Sequence, residues 1–321
     1  MRQTGHVPDS VVDPPLRQLT RLRAEMAMAS NRLTAGLLPY EPMLGVNLGI
    51  VARICLPDWT AGGVLAPPAR PTRAITMRKM ALSLGSAPET TRRRVNLLID
   101  RGVLASSDQG VSLAVTAENE VLVRCYYLGV HDLFLRLIED IHATCDIGFP
   151  IGEAPRFEIG DIIGRALDIL LMPIDTYRPT GRSLLAFLLW GALTVVAVRH
   201  VTHDPVLSRR YANEIPPDDL RIGTSLRELA AALSIPYATA WRQVQAMRAE
   251  GLVTRLAGNR WIVLRSNLLS DSVREISTPP SQLLLRKVRE LAALGLDPAR
   301  AADHYRQGRP PLAELGLSQG G

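Results

Sequence analysis

The sequence predicts a mainly α-helical protein carrying two small β-hairpins, and three observations lead to that class. One is an internal repeat: Met77–Leu113 aligns without a gap within Leu226–Val263, so that Met77 falls on Leu226 and Leu113 on Ile262. Another is that apolar residues within each copy recur at spacings of three and four, the period of a helix with one buried face. The third is that the apolar stretches outside the repeat, at 117–144, 159–171 and 282–294, also have helical period and length.

Each copy reads in the same order. A short helix, Met77–Leu84 or Leu226–Leu233, is broken at Gly85-Ser86-Ala87 or Ser234-Ile235. Pro88 or Pro236 then opens a second helix, where a missing N–H costs little. Its buried face is Thr91, Val95 and Leu98 in the first copy, and Ala240, Val244 and Met247 in the second. Gly102 and Gly251 end these helices, as glycine does when the chain must turn left-handed. Val103–Ser106 and Val111–Val115 flank the turn Asp108-Gln109-Gly110, and Leu252–Leu256 and Arg260–Leu264 flank Ala257-Gly258-Asn259. Glycine in a short polar turn between β-prone runs signals a hairpin.

The run Leu229–Val253 (LAAALSIPYATAWRQVQAMRAEGLV) resembles the helix-turn-helix of winged-helix bacterial regulators, GntR-type sequences in particular. The Leu-Ala helix, the short turn and the closing Glu250-Gly251-Leu252-Val253 carry the resemblance, and Arg101-Gly102-Val103-Leu104 approximates that ending in the first copy. The resemblance covers the repeat units and not the whole chain. It implies tandem winged helix-turn-helix domains joined by amphipathic helices, with double-stranded DNA as the partner. In such folds the second helix enters the major groove and its outward N-terminal residues meet bases and phosphates. The residues expected to do so in the first copy are Thr90, Arg92, Arg93 and Asn96, with Arg92 at the position of a contacting arginine. In the second copy they are Tyr237, Thr239, Trp241, Arg242 and Gln245, with Arg248 as a further polar candidate and Arg260 on the wing. Trp241 stands where Arg92 does in the first copy, so the second copy is expected to read DNA more weakly or to meet protein.

Composition permits this reading. The chain has 321 residues, 47% hydrophobic and 21% charged, which accommodates about two folded domains. The net charge of +6 suits a polyanionic partner without requiring one. Lysine occurs only as Lys79 and Lys287, so the positive charge is almost all arginine, the side chain suited to forked contacts with phosphate and guanine. Between Arg78 and Arg101 six basic residues face two acidic ones. Cys55, Cys125 and Cys145 lie in apolar stretches and read as buried free thiols in a cytoplasmic protein. No apolar signal segment is evident near the N-terminus, and the uncharged run Leu184–Val198 is shorter than a spanning helix, so a core helix is expected rather than a membrane anchor.

The expected layout is a tail and leading helix at 1–36, a first winged-helix domain at 37–115 and a helical connector at 116–180. A second winged-helix domain follows at 181–265, and a C-terminal helix with a flexible tail at 266–321. Apolar helices near Pro42–Leu56 and Ser183–His200 precede the two motifs, joined to them by the Pro-rich linkers Pro57–Thr72 and Thr202–Leu220. Thr116 is the expected N-cap of a helix from Ala117 to Thr144, with Leu122, Tyr126, Leu133, Leu137 and Ile141 on one side. Such helices are expected to form a homodimer interface or to hold the two domains together.

No Walker loop, G-x-S-x-G or H-E-x-x-H occurs, so no enzyme, cofactor or metal site is expected. His200 and His203 read as C-terminal cations, and His131, Asp140, His142 and Cys145 point in different directions around one helix. The function expected is a sequence-specific transcriptional regulator reading two half-sites roughly 34 Å apart. A plasmid-type replication initiator and a winged-helix protein–protein scaffold stand as alternatives.

Overall fold

The computed structural model describes residues 14–38, 44–60, 65 and 73–312. Its elements run α1 (Leu16–Leu37), α2 (Leu44–Ile54), α3 (Met77–Leu84), α4 (Pro88–Asp100), β1 (Leu104–Ser107), β2 (Gly110–Leu113), α5 (Glu120–Thr144) and α6 (Ile159–Tyr177). They continue α7 (Leu184–Val196), α8 (Arg199–His203), α9 (Pro205–Arg210), β3 (Thr224–Ser225), α10 (Leu226–Ala232), α11 (Tyr237–Ala249), β4 (Thr254–Arg255), β5 (Arg260–Ile262), α12 (Arg265–Leu268) and α13 (Asp271–Ala293). The protein is therefore mainly α, with two small antiparallel sheets.

The centre is α5. Every residue from Tyr126 to Ile138 is buried, so this helix is enclosed on all sides rather than apolar on one. It packs against α1, α6 and a 3-10 turn at Pro298–His304, while α13 lies on α1 and α6. Enclosure requires its polar residues to be satisfied internally. Asp132, 1% exposed, accepts from His131 Nδ1 at 2.8 Å and from the backbone N–H groups of Arg306 and Gln307 at 2.9 and 2.6 Å. Glu139 accepts from Tyr305 Oη and Arg309 Nε at 2.6 and 3.0 Å. Residues 297–312, read as loose from their Pro and Gly content, are thus fastened along α5; the end of the chain beyond Leu312 lies outside the described residues. Thr116 does not cap this helix: the N-cap position is Asn119, whose side chain is used elsewhere.

The two repeats fold alike. Thr76 and Ser225 cap α3 and α10, their hydroxyls accepting from the N–H of Lys79 and Glu228. Both helices end on a left-handed residue, Gly85 (φ 56°) or Ser234 (φ 53°), with paired reverse hydrogen bonds behind it. Helices α4 and α11 bury Thr91, Val95, Leu98 and Ala240, Val244, Met247, the faces that the spacing predicts. Pro88 is the first residue of α4, whereas Pro236 sits one place earlier, as the N-cap of α11. Gly102 (φ 69°) donates to Ile99 O and Val103 to Leu98 O; Gly251 (φ 72°) donates to Arg248 O and Leu252 to Met247 O. These are two Schellman endings of the same geometry.

Hairpins follow, β1 with β2 across the two residues 108–109 and β4 with β5 across the four residues 256–259. In each copy the residue two places before the first helix of the motif pairs antiparallel with the second hairpin strand: Ile75 with Val111, and Thr224 with Trp261. A buttress not evident in the sequence completes each unit. Asn119 Nδ2 donates to the carbonyls of Gly102 and Ala114, and Asn267 Nδ2 to those of Gly251 and Leu252.

The copies differ in their cores. The first shares one continuous core with α1, α5, α6 and α13. The second has its own, built from α7, α10, α11 and β5 and joined by Met28 of α1. Thr202–Leu220 is more than a linker, since it contains the end of α8, all of α9 and a 3-10 turn at Asp218–Leu220. Most of the linker Pro57–Thr72 and the residues before Pro14 lie outside the described residues. Helix α13 begins at Asp271, eleven residues before Gln282, and runs through Pro279 and Pro280. Cys55 and Cys145 are buried, but Cys125 is only partly so. Among the described residues no single helix is long and apolar enough to cross a membrane; α6 and α7 reach that length only as a pair bent by 111°.

Two stability changes follow. Ser234→Gly is expected to raise unfolding free energy by about 0.5–1 kcal/mol, because glycine adopts positive φ without the penalty of a Cβ; denaturant unfolding checks this. Asp132→Ala leaves two N–H donors without their acceptor, and is expected to cost about 3 kcal/mol and to expose 297–312 to limited proteolysis.

Candidate nucleic-acid interface

In both copies the second helix of the motif is buried on one side and open on the other. On α4 the residues Pro88, Glu89, Arg92 and Arg93 are exposed, while Thr90 and Asn96 are half-buried. Arg78 and Lys79 add exposed positive charge from α3. Arg92 is not idle: its Nε and Nη2 donate to the two Glu89 oxygens at 2.8 and 2.6 Å. The hydrogen bonds from Arg92 hold the Glu89 carboxyl below its ordinary range. Both side chains are fully hydrated, so the pair is weak and open to exchange for another anion. The spacing Glu-x-x-Arg at the helix start was the sequence signal for it.

The start of α4 is held in place from behind. Ser86 Oγ and Thr91 Oγ1 share a hydrogen bond of 2.5 Å across the turn between α3 and α4. Tyr177 Oη and Arg178 Nη1 donate to the carbonyls of Leu84 and Leu82, tying the end of α3 to the end of α6.

The face of α11 has a different chemistry. Tyr237 and Trp241, 50% and 37% exposed, stack with ring centroids 6.3 Å apart, and Trp241 meets the buried Trp261 edge-on at 6.0 Å. These three rings form a column from the open helix face to the second hairpin strand. Arg242 is exposed and its Nη2 lies 3.5 Å from Thr239 Oγ1, with Thr239 itself half-buried. Gln245 is half-buried with Nε2 enclosed and unpartnered, and Arg260 is half-buried at the hairpin. The far end of α11 is clamped, because Arg182 pairs with Glu250 and Ser183 Oγ donates to Gln243 Oε1. The N-terminal half is open, and Ala246, Arg248 and Ala249 further along the helix are exposed as well.

Sequence reasoning missed Arg227 on α10 and Arg255 on the second hairpin, both exposed; Arg255 donates to Asn259 across the turn. Alternation gave no signal for Arg255, since a period of two puts it on the same face as the buried Val253, and it is exposed because it lies at the end of the strand beside the turn. Among the described residues no three His, Cys, Asp or Glu side chains gather as metal ligands. His203 instead faces Glu25, which Arg199 also pairs, at 2.9 and 3.3 Å.

No family model, curated protein or solved structure matches the chain.

Trp241→Ala is expected to cost about 1 kcal/mol by removing both ring contacts. Arg92→Ala is expected to leave the unfolding midpoint unchanged. Thermal unfolding of the two variants beside the wild type distinguishes these outcomes.

Proposed function

We propose that the protein is a sequence-specific double-stranded DNA-binding regulator whose two repeats are winged helix-turn-helix units. One observation carries the reading. The same order of short helix, turn, second helix and hairpin occurs twice, with the same strand pairing, and each copy leaves the N-terminal half of its second helix open to solvent. A helix of that width fits the major groove.

In the first copy Arg92 and Arg93 supply the contacts. Arg92 exchanges Glu89 for a phosphate or a guanine edge, and Arg93, Arg78 and Lys79 neutralise backbone charge. Thr90 and Asn96, set further in, give positioning hydrogen bonds. In the second copy Arg242, Arg255 and Arg260 serve the backbone, and the aromatic pair meets sugars or thymine methyls. A second reading is favoured for this copy alone by that exposed, stacked Tyr237–Trp241 pair: contact with a protein partner, where aromatic anchors are enriched.

Fluorescence anisotropy with genomic duplex fragments across a salt series tests the proposal. Affinity should fall steeply with salt, and Arg92→Ala should cost about 1–3 kcal/mol on a selected site if it reads a base. Wild type and variant that both fail to bind at low salt would sink the reading. Trp241→Ala separates the two roles of the second copy: weakened DNA binding supports the DNA role, and unchanged binding supports the protein role.

A further inference from the structure

A cavity of about 120 Å³ lies where α1, α2, α6 and α7 converge, closed at one side by Leu233 at the end of α10. Its walls are mostly apolar, with Leu167, Leu170, Leu171, Phe187 and Leu188 among them. Among the described residues that line it, Arg23 alone is charged.

Arg23 is 7% exposed and its Nε is enclosed without a hydrogen-bond partner. The other buried polar residues of α1 are answered. Gln18 Nε2 donates to Thr144 Oγ1 and to the carbonyl of Thr202, Arg21 donates to Gln18 Oε1 and to the carbonyl of Tyr211, and Glu25 receives Arg199 and His203. Burial lowers the Arg23 guanidinium to about 10, which leaves it cationic at neutral pH, and among the described residues no charged side chain pairs with it. A buried cation without a counter-ion is costly unless something outside the chain supplies the anion.

We propose that this cavity is a binding site for a small free monocarboxylate with an apolar body, its carboxylate held by Arg23. The planar guanidinium presents a fork that matches a carboxylate. The volume sets the size of the body. An apolar cavity of about 150 Å³ admits a benzene ring, so this one takes a short acyl chain or a single aromatic ring. Occupancy does not depend on whether the protein binds DNA.

Thermal unfolding of the full chain tests it, with hexanoate and benzoate at millimolar concentration beside hexanamide and benzamide. The carboxylates should raise the midpoint by several degrees and the amides should not. Two variants localise the effect. Arg23→Met removes the charge but keeps the length, should abolish the shift, and should be no less stable without ligand than the wild type. Gly191→Leu plugs the cavity, because a Cβ on Gly191 meets nothing within 4 Å and the substitution favours the helix. It should abolish the shift while leaving Arg23 in place, and it decides the matter even if Arg23→Met does not fold. Equal shifts from acids and amides, a shift that survives in Gly191→Leu, or no shift with any acid would overturn the proposal.

Discussion

Enclosure of α5 is the constraint on which the remaining architecture depends. A helix apolar on one side can lie on a surface, but one whose residues are all buried from Tyr126 to Ile138 must be surrounded. Helices α1 and α6 supply two of its neighbours, and the C-terminal segment supplies another. That segment offers few apolar side chains and is held chiefly by polar anchors on α5: Asp132 takes its backbone N–H groups, and Glu139 takes Tyr305 and Arg309. Each anchor is a carboxylate facing hydrogen-bond donors, a strong arrangement at the enclosed Asp132 and a weaker one at the half-exposed Glu139. Residues 297–312 are therefore a structural member of the bundle.

On this platform the two repeats are mounted differently. The first is continuous with the platform core, and the second folds around a core of its own that Met28 of α1 joins, with further contacts from α1 and α6 to α7 and a hydrogen bond from Asn31 Nδ2 to the Leu233 carbonyl. Their internal construction is nevertheless the same down to the cap hydroxyls, the glycine endings and the asparagine that braces each glycine carbonyl. What has diverged is the open face: an arginine paired with Glu89 in one, a column of aromatic rings in the other. Under the proposed function, a shared scaffold with different surface chemistry suits two faces that meet different surfaces.

The repeat units were legible because their signals are local. Gly102 and Gly251 mark a left-handed ending, and spacings of three and four give the buried faces of α4 and α11. What was not legible depends on partners distant in sequence. Helical period marked only 282–294, yet α13, packed on α1 and α6, begins at Asp271 and runs through Pro279 and Pro280. Ser281 Oγ donates to the Ser277 carbonyl inside that stretch and shares a hydrogen bond with Thr20 of α1. Thr116 has the chemistry of a cap, but Asn119 takes the position because its amide braces Gly102. At the candidate interface, the exposure of Arg92, Arg93, Tyr237 and Trp241 followed from helical period. The Trp241–Trp261 contact and the unanswered Arg23 did not, since each joins residues on separate elements.

Hydrogen–deuterium exchange with and without duplex DNA at low salt tests the central claim most directly. The account predicts slowed exchange in the first turns of α4 and α11 and at the hairpin turns around Gln109 and Gly258, with the α5 bundle unchanged. Slowed exchange confined to other surfaces, or none at saturating DNA, would contradict it.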